Sequence, residues 1–533
     1  MLTRAHLRAA GLGLLAFCWA ARAAAPAEFA VEPYVQNPGK TEMTVKWSCR
    51  EKADFKLRCG TGEKLDREFA PGEPREVLWK DWPGGQRPAD AAADAKPTEE
   101  FRAYIYQAVL TGLAPGTAYR YEVSSGAVRA GGTFRTFPEK PGPFTFIAYG
   151  DNRSDPEAHR RVTSGFAAQK PEFIIHTGDM VTNGTYPEWE KEFFAPLREV
   201  IRDVPLFPSL GNHDGDSRKF FAVPPGGKGL WYSFDRGDAH FVCLDSISGK
   251  PEMLEWCERD LAASRATWKI VFGHISAYDV GSHSTRWGRA DYLPVFRKHG
   301  VDLVFSAHTH GYQRFRPVFT KGVNEARPIT YIVTAGGGAP FHALTRDSAL
   351  AVGKVEHHFL ALTVDGNRLA ARAISAAGKE IDAFEIVKKD GVPGAEWLKA
   401  AIPEDDFDAV RKVVRPYLRG IALPRDVRAG GAVKTEFKLG AGEKAAKYTV
   451  TIDPRAAANW ELPEVSGAIP AGGTADVSLS VRLRDPAPYR DGQKPLPPLM
   501  IEVGVEIDGW RTGMLTSLRE ASPVAPGGAG GAQ

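Results

Sequence analysis

Cysteine is scarce in this chain, at five residues in 533. Past the first stretch only Cys49, Cys59, Cys243 and Cys257 remain, and their spacing fits no zinc-finger pattern. Two readings of these cysteines stay open: a bridge between Cys49 and Cys59 on neighbouring strands, or buried free thiols. An excess of either charge is also missing. The formal net charge is +3, from 68 Lys and Arg against 65 Asp and Glu. Arg4, Arg8 and Arg22 account for that difference, and no acid lies among them. The rest of the chain is near neutral, so charge implies neither a nucleic-acid nor a membrane-surface partner. The apolar run Ala9–Ala21 is too short to span a bilayer, so no transmembrane segment is expected. No internal repeat of fixed period is present, and nothing in the composition bears on oligomeric state.

What is present begins with that same run. Arg4 and Arg8 precede it and small residues follow, the layout of a secretory signal peptide over residues 1–23 with cleavage after Ala23. Export to the periplasm or the exterior is the expectation. The length suggests two to four domains. From Glu28 to Phe137 short alternating segments separated by Gly and Pro read as strands: Thr44–Ser48, Asp54–Arg58, Tyr104–Leu110, Ala118–Val123 and Gly132–Thr136. They predict a β-sandwich over 28–138. The stretch Leu113-Ala114-Pro115-Gly116-Thr117-Ala118-Tyr119-Arg120-Tyr121 resembles the corner of fibronectin type III domains, where a tyrosine braces a turn. Pro138, Pro141 and Pro143 mark a connection.

From Phe144 the pattern becomes apolar runs alternating with helical segments, an α/β layered domain over 143–388. A linker with a short helix from Asp406 to Arg419 follows over 389–425. A second all-β sandwich is expected over 426–522, strand-rich from Lys434 to Arg482, and then a Gly, Ala and Pro-rich disordered tail over 523–533. Trp79, Trp82 and Trp460 are read as core or interface residues of the flanking sandwiches.

Histidine is confined. Of the 13 in the chain, all but His6 lie between His159 and His358. Five apolar runs in the central domain, Phe144–Tyr149, Phe173–His176, Leu206–Leu210, Ile270–Phe272 and Leu303–Ser306, each lead into a cluster of Asp, Asn or His. The clusters are Gly150-Asp151-Asn152-Arg153, Gly178-Asp179, Gly211-Asn212-His213-Asp214, Gly273-His274 and Ala307-His308-Thr309-His310. One Gly-Asp after a strand is a turn; five such clusters at successive strand ends gather where α/β sheets place their sites. Two carboxylates, an amide oxygen and three imidazoles make a ligand set without thiolate, suited to iron, manganese or zinc. A carboxylate at a strand end can bridge two cations, the arrangement that serves phosphoryl displacement.

The ordered motifs resemble those of the calcineurin-like metallophosphoesterase superfamily over Phe144–Ile386, and within it the purple acid phosphatases. His308-Thr309-His310-Gly311-Tyr312-Gln313-Arg314 is similar to their last motif, and a fibronectin-like domain precedes their catalytic domain. The hairpin Trp231–Ser246 and the run Gly336-Gly337-Gly338 are similar to features of bacterial members. The resemblance implies a four-layer α/β/β/α sandwich flanked by two all-β sandwich domains, and a phosphate-ester hydrolase with two metal ions. It implies Asp179 as the bridge, Asp151 and His310 on the first metal, and Asn212, His274 and His308 on the second. His213 would bind phosphate or protonate the leaving group, with Asp214 orienting its ring, and His283 would face substrate. A water activated by the cations would attack phosphorus in line.

Two positions depart from the pattern. Most of the superfamily has histidine where this chain has Arg153, and purple acid phosphatases have an iron-binding tyrosine where it has Thr182. The first metal is therefore one protein ligand short, and no purple phenolate colour is expected. Water can complete that shell, Arg153 can turn to the substrate phosphate, or the second metal alone can bind tightly. The substrate expected is a small-molecule or headgroup phosphate ester. A phosphodiesterase or nucleotidase on the same core is one alternative, and a non-catalytic surface binding protein with a partly decayed site is another.

Overall fold

The computed structural model describes residues 28–81, 99–215, 219–224, 227–229, 231–419 and 421–520. The expected signal peptide, Trp82 and the tail from Pro523 lie outside the described residues. No described helix is long and apolar enough to cross a membrane.

The N-terminal region is two facing four-stranded sheets. One runs Phe29–Gln36, Met43–Cys49, Glu99–Leu110, Arg75–Asp81, and the other Arg67–Phe69, Lys56–Gly60, Ala118–Ser125, Val128–Arg135. Alternate residues of both point inward, so Trp47, Leu57, Tyr106 and Tyr121 form one buried core. The Tyr119 hydroxyl accepts the Ala114 N–H at 2.8 Å, which braces the turn where the sequence suggested a tyrosine corner. Cys49 and Cys59 are both buried and free, as are Cys243 and Cys257, so no bridge forms among them. Trp79 packs at the junction with the central region, 5.3 Å from Tyr186, and its indole N–H donates to Gly184.

The central region is built on two seven-stranded sheets. The first has the order Leu206–Pro208, Phe173–His176, Phe144–Tyr149, His358–Asp365, Arg368–Ser375, Glu380–Lys389, Val392–Pro393. The second has Tyr232–Arg236, Ala239–Cys243, Trp268–Phe272, Leu303–Ser306, Thr330–Thr334, Tyr312–Phe315, Leu350–Lys354. The sheets share a core of Phe146, Phe173, Phe241, Phe305 and Leu360. Helices Pro156–Thr163 and Ala195–Ile201 cover the outside of the first sheet, and Pro251–Ala263 and Tyr292–His299 that of the second. Strands covered on both faces read as near-continuous apolar runs, which is why FTFIAY, FIIH and LVFS are buried along almost their whole length. Three of the five runs fall in the first sheet and two in the second, parallel to one another within each.

His240 fastens the edge hairpin of the second sheet. Its ring lies 2.7 Å from Asp235 and 2.9 Å from Asp260 on the adjacent helix. Burial alone would lower its pKa, but the two carboxylates outweigh that and raise it to about 9. A folded-state pKa above the unfolded value of about 6.5 gives stability that is whole below about pH 6.5 and is lost as pH rises through about 9. Thermal unfolding across that window is expected to show a decline in the native protein that His240→Gln flattens.

The C-terminal region has a five-stranded and a three-stranded sheet around Trp460, Val477 and Ile501. The connecting segment carries the expected short helix, and that helix is packed. Glu404–Val414 buries Phe407 against Tyr278, Asp408 takes Arg286 and Arg289, and Arg411 pairs with Asp347. Those charges look solvated in the sequence, yet their partners come from the central region.

Candidate metal centre

The carboxyl ends of both sheets meet at one rim, and the expected ligands converge there. Asp151, Asp179 and His310 place donor atoms within 4.8 Å of one another, and so do Asp179, His274 and His308. Asp179 belongs to both groups and is 1% exposed. Asn212 joins the second group, its Oδ1 lying 3.0 Å from His274 Nε2. Asp151, Asp179 and His308 adopt φ of 54°, 57° and 74°, the left-handed region, at strand ends. Such strain persists where surrounding structure enforces it, and it clusters at functional sites. Gly211 permits the approach of the loops, since a Cβ there would lie 2.1 Å from the Asp179 nitrogen. Gly337 permits another, its N–H donating to the Gly150 carbonyl at 2.8 Å where a Cβ would clash.

Whether these residues suit cations is decided by their protons. His310 Nδ1 donates to the Pro340 carbonyl, and His274 Nδ1 donates to Thr177 at 2.9 Å. A neutral imidazole with its proton held at Nδ1 offers a lone pair at Nε2, as metal-binding histidines do. His310 Nε2 then faces Asp151 Oδ1 at 3.0 Å, both buried and neither hydrogen-bonded. Two acceptors confined at that distance need positive charge between them. Asp151 is held well below the usual carboxylate range where positive charge stands at His310 and His274: burial opposes this, and that charge with the His308 N–H outweighs it, so the carboxylate is suited to a cation at the same place. Burial and the surrounding imidazoles push His308 down to about 3, leaving it a neutral ligand. The donor set therefore fits a pair of metal ions.

The remaining expected residues are also near. His213 donates its backbone N–H to Asp179 Oδ1 at 3.0 Å and its Nδ1 proton to the Thr182 carbonyl at 2.6 Å, with Nε2 3.9 Å from Asp179 Oδ2. Arg153 lies against the bridge, its Nε 3.4 Å from Asp179 Oδ2. The His283 ring is 4.1 Å from that of His308.

Comparison with known proteins agrees with this geometry. Residues 144–312 match the family described as calcineurin-like phosphoesterase, and residues 30–137 match the purple acid phosphatase N-terminal domain. The chain carries a calcineurin-like phosphoesterase domain behind a purple acid phosphatase N-terminal domain. It is similar to acid phosphatase type 7 of Danio rerio, 26% identical over 362 residues, covering 58% of this chain and 76% of the relative. It is also similar to Fe(3+)-Zn(2+) purple acid phosphatase 12 of Arabidopsis thaliana, 26% identical over 318 residues, covering 50% and 66%. A solved purple acid phosphatase, PPD1 from yellow lupin (Lupinus luteus) seeds, shares the fold at a TM-score of 0.56 and 19% identity, covering 69% of this chain and 75% of the other. The chain thus carries a calcineurin-like phosphoesterase domain whose buried donor groups suit metal ions.

Within this phosphoesterase site one expectation needs correction. Asp214 does not orient the His213 ring. Its carboxylate accepts the N–H groups of Gly211, Met180, Asp179 and Val181 at 2.7, 2.6, 3.0 and 3.4 Å. It staples the Asn212 loop to the Asp179 loop, and a backbone carbonyl holds His213 instead. Three further residues escaped the sequence reading. Glu192, on a π-helical turn of the kind often found at functional sites, accepts Ser154 N–H and the Thr182 N–H and hydroxyl at 2.9–3.0 Å. Asn152 donates to Met180 at 2.8 Å and accepts from His176 at 2.7 Å. His342 stacks on His310 at 3.9 Å and accepts its N–H. Asn152 lies in a strand-end cluster but carries no role in that reading, while Glu192 and His342 follow no such strand. Only the concentration of histidine between 159 and 358 hinted at His342.

Proposed function

We propose that the protein is an exported phosphomonoesterase with a dinuclear metal centre, and the observation that carries this reading is the sharing of Asp179 between two donor groups. Asp151, Asp179 and His310 would hold one ion, and Asp179, Asn212, His274 and His308 the other. When bound, such ions of iron, manganese or zinc supply charge that makes water a nucleophile near neutral pH and offsets phosphate charge. The chain's own residues do the rest. His213 keeps one proton on Nδ1 against Thr182, so protonation at Nε2 makes it a donor facing the site. From there it delivers a proton to the departing alkoxide. Arg153 is 15% exposed beside the bridge and presents guanidinium N–H groups to a phosphate oxygen. His283 borders the same opening. Thr182, where the resemblance puts a tyrosine, is bonded to Glu192 and Ser154 and offers no phenolate.

The small-residue leader after Arg4 and Arg8 supports export. The retention of both donor groups speaks against a decayed binding site. The test is a panel of 4-nitrophenyl phosphate, bis(4-nitrophenyl) phosphate and a nucleotide, run on native protein and on His213→Ala. The native enzyme should prefer the monoester. His213→Ala should keep its metal and lose roughly a hundredfold in kcat, within the usual contribution of a positioned proton donor. Preference for the diester, or an unchanged kcat in the variant, would replace this reading.

A further inference from the structure

A second cavity of about 310 Å³ opens between the loop around Ser282, the helix Glu404–Val414 with its continuation Arg415–Leu418, and the strand Trp510–Glu520. His283 belongs to both places: it lines this cavity, and its ring is 4.1 Å from the ligand His308. The helical segment contributes Arg411 and Arg415, four residues apart and so on one face, and Arg419 lines the cavity from the extended backbone just past its end. Arg411 is buried and paired with Asp347. Arg415 is half-buried, its guanidinium on the Ser284 hydroxyl at 2.8 Å, and Arg419 is exposed. Among the described residues no carboxylate pairs with either Arg415 or Arg419.

The neighbouring acids are already engaged. Asp408 serves Arg286 and Arg289, and Asp279 accepts Gly281 N–H, the Thr309 hydroxyl and the Gln313 amide. Burial and the like charge of Arg286, joined by Arg289 and Arg419, outweigh the attraction of Asp408 and push the Arg415 guanidinium below its ordinary value. A partly desolvated cation with no carboxylate in direct contact is costly, and an oxyanion that takes its planar donor fork lowers the cost.

We propose that this cavity is a second anion subsite, which holds a phosphate or similar oxyanion of the same substrate whose scissile phosphate sits at the Asp179 centre. Esters that carry a second anionic group are then the favoured class. The subsite rests on the phosphomonoesterase reading, and His283 is the residue that links the two places.

Butyl phosphate and butanediol bisphosphate differ only in the second phosphate, and their kcat/KM ratio tests the subsite. The native enzyme should favour the bisphosphate roughly 10–100-fold, the range of a charge-assisted hydrogen bond. Arg415→Gln should bring the ratio near one with butyl phosphate turnover unchanged, and Arg415→Lys should retain part of it. Arg419→Glu, at an exposed position, should lower it without touching the core. A ratio near one in the native enzyme, or one unmoved by Arg415→Gln and Arg419→Glu, overturns the subsite. So does sulfate altering butyl phosphate turnover through Arg415 with no bisphosphate preference, which marks a free-anion site. Calorimetry with butane bisphosphonate and butylphosphonate separates the two readings. If neither ester turns over, the phosphomonoesterase reading falls, while an Arg415-dependent preference for the bisphosphonate still upholds the subsite and its absence overturns it.

Discussion

Asp179→Ala is expected to strip the protein of metal and of turnover together. Asp179 is the one side chain common to both donor groups, so its loss takes a ligand from each. It also removes the partner of Arg153 at 3.4 Å and the acceptor of the His213 N–H at 3.0 Å, leaving a cation and a donor facing the emptied centre. Metal ions contribute several kcal/mol of transition-state stabilisation, so kcat/KM should fall on the order of a thousandfold or more. Asp179→Asn should also fail, because an amide oxygen bridges cations less well than a carboxylate. Metal content and kcat/KM measured on the same preparation check this, and a variant that keeps both contradicts the bridging role.

Asp214→Ala should be the most destabilising substitution around the site. The side chain is fully buried and gathers four backbone N–H groups from two loops. Each buried donor left unsatisfied costs about 1–3 kcal/mol. Two or three orphaned donors give roughly 3–6 kcal/mol, a large share of the 5–15 kcal/mol that holds a typical domain. Burial and the nearby Asp179 carboxylate raise the Asp214 pKa, while the Gly211 and Met180 N–H groups oppose them. Asp214→Asn, which keeps one acceptor, should fall between. Thermal unfolding beside kcat distinguishes this from a ring-orienting role. The staple predicts that Asp214→Ala loses stability first, whereas an orienting residue would lose kcat with the melting temperature unchanged.

The contrast between Asp179 and Asp214 shows what was legible before the fold was known. Asp151, Asp179, Asn212, His274, His308 and His310 stand out because the chemistry needs those residue types at strand ends, and buried parallel strands are marked by unbroken apolar runs. Asp214 follows His213 directly and so invites a local pairing, but the backbone turns its carboxylate back to the 179–181 N–H groups. Glu192 is hidden in an ordinary helical run, WEKEFF, and its role arises only because a π-helical turn aims it at Ser154 and Thr182. His342 lies 32 residues beyond His310, and only the glycine-rich return of the chain stacks the two rings. The helix Glu404–Val414 reads as a charged connector because the partners of Asp408 and Arg411 are more than 60 residues away. Local chemistry is visible in sequence; contacts made by long-range packing are not.

The central claim is a centre of two cations joined by Asp179, and metal stoichiometry against activity tests it most directly. Purified protein, chelated and then reloaded with iron, manganese or zinc, should bind two equivalents and regain phosphomonoester turnover in step with them. Full turnover in chelated protein, or reloading that restores metal without activity, would contradict it.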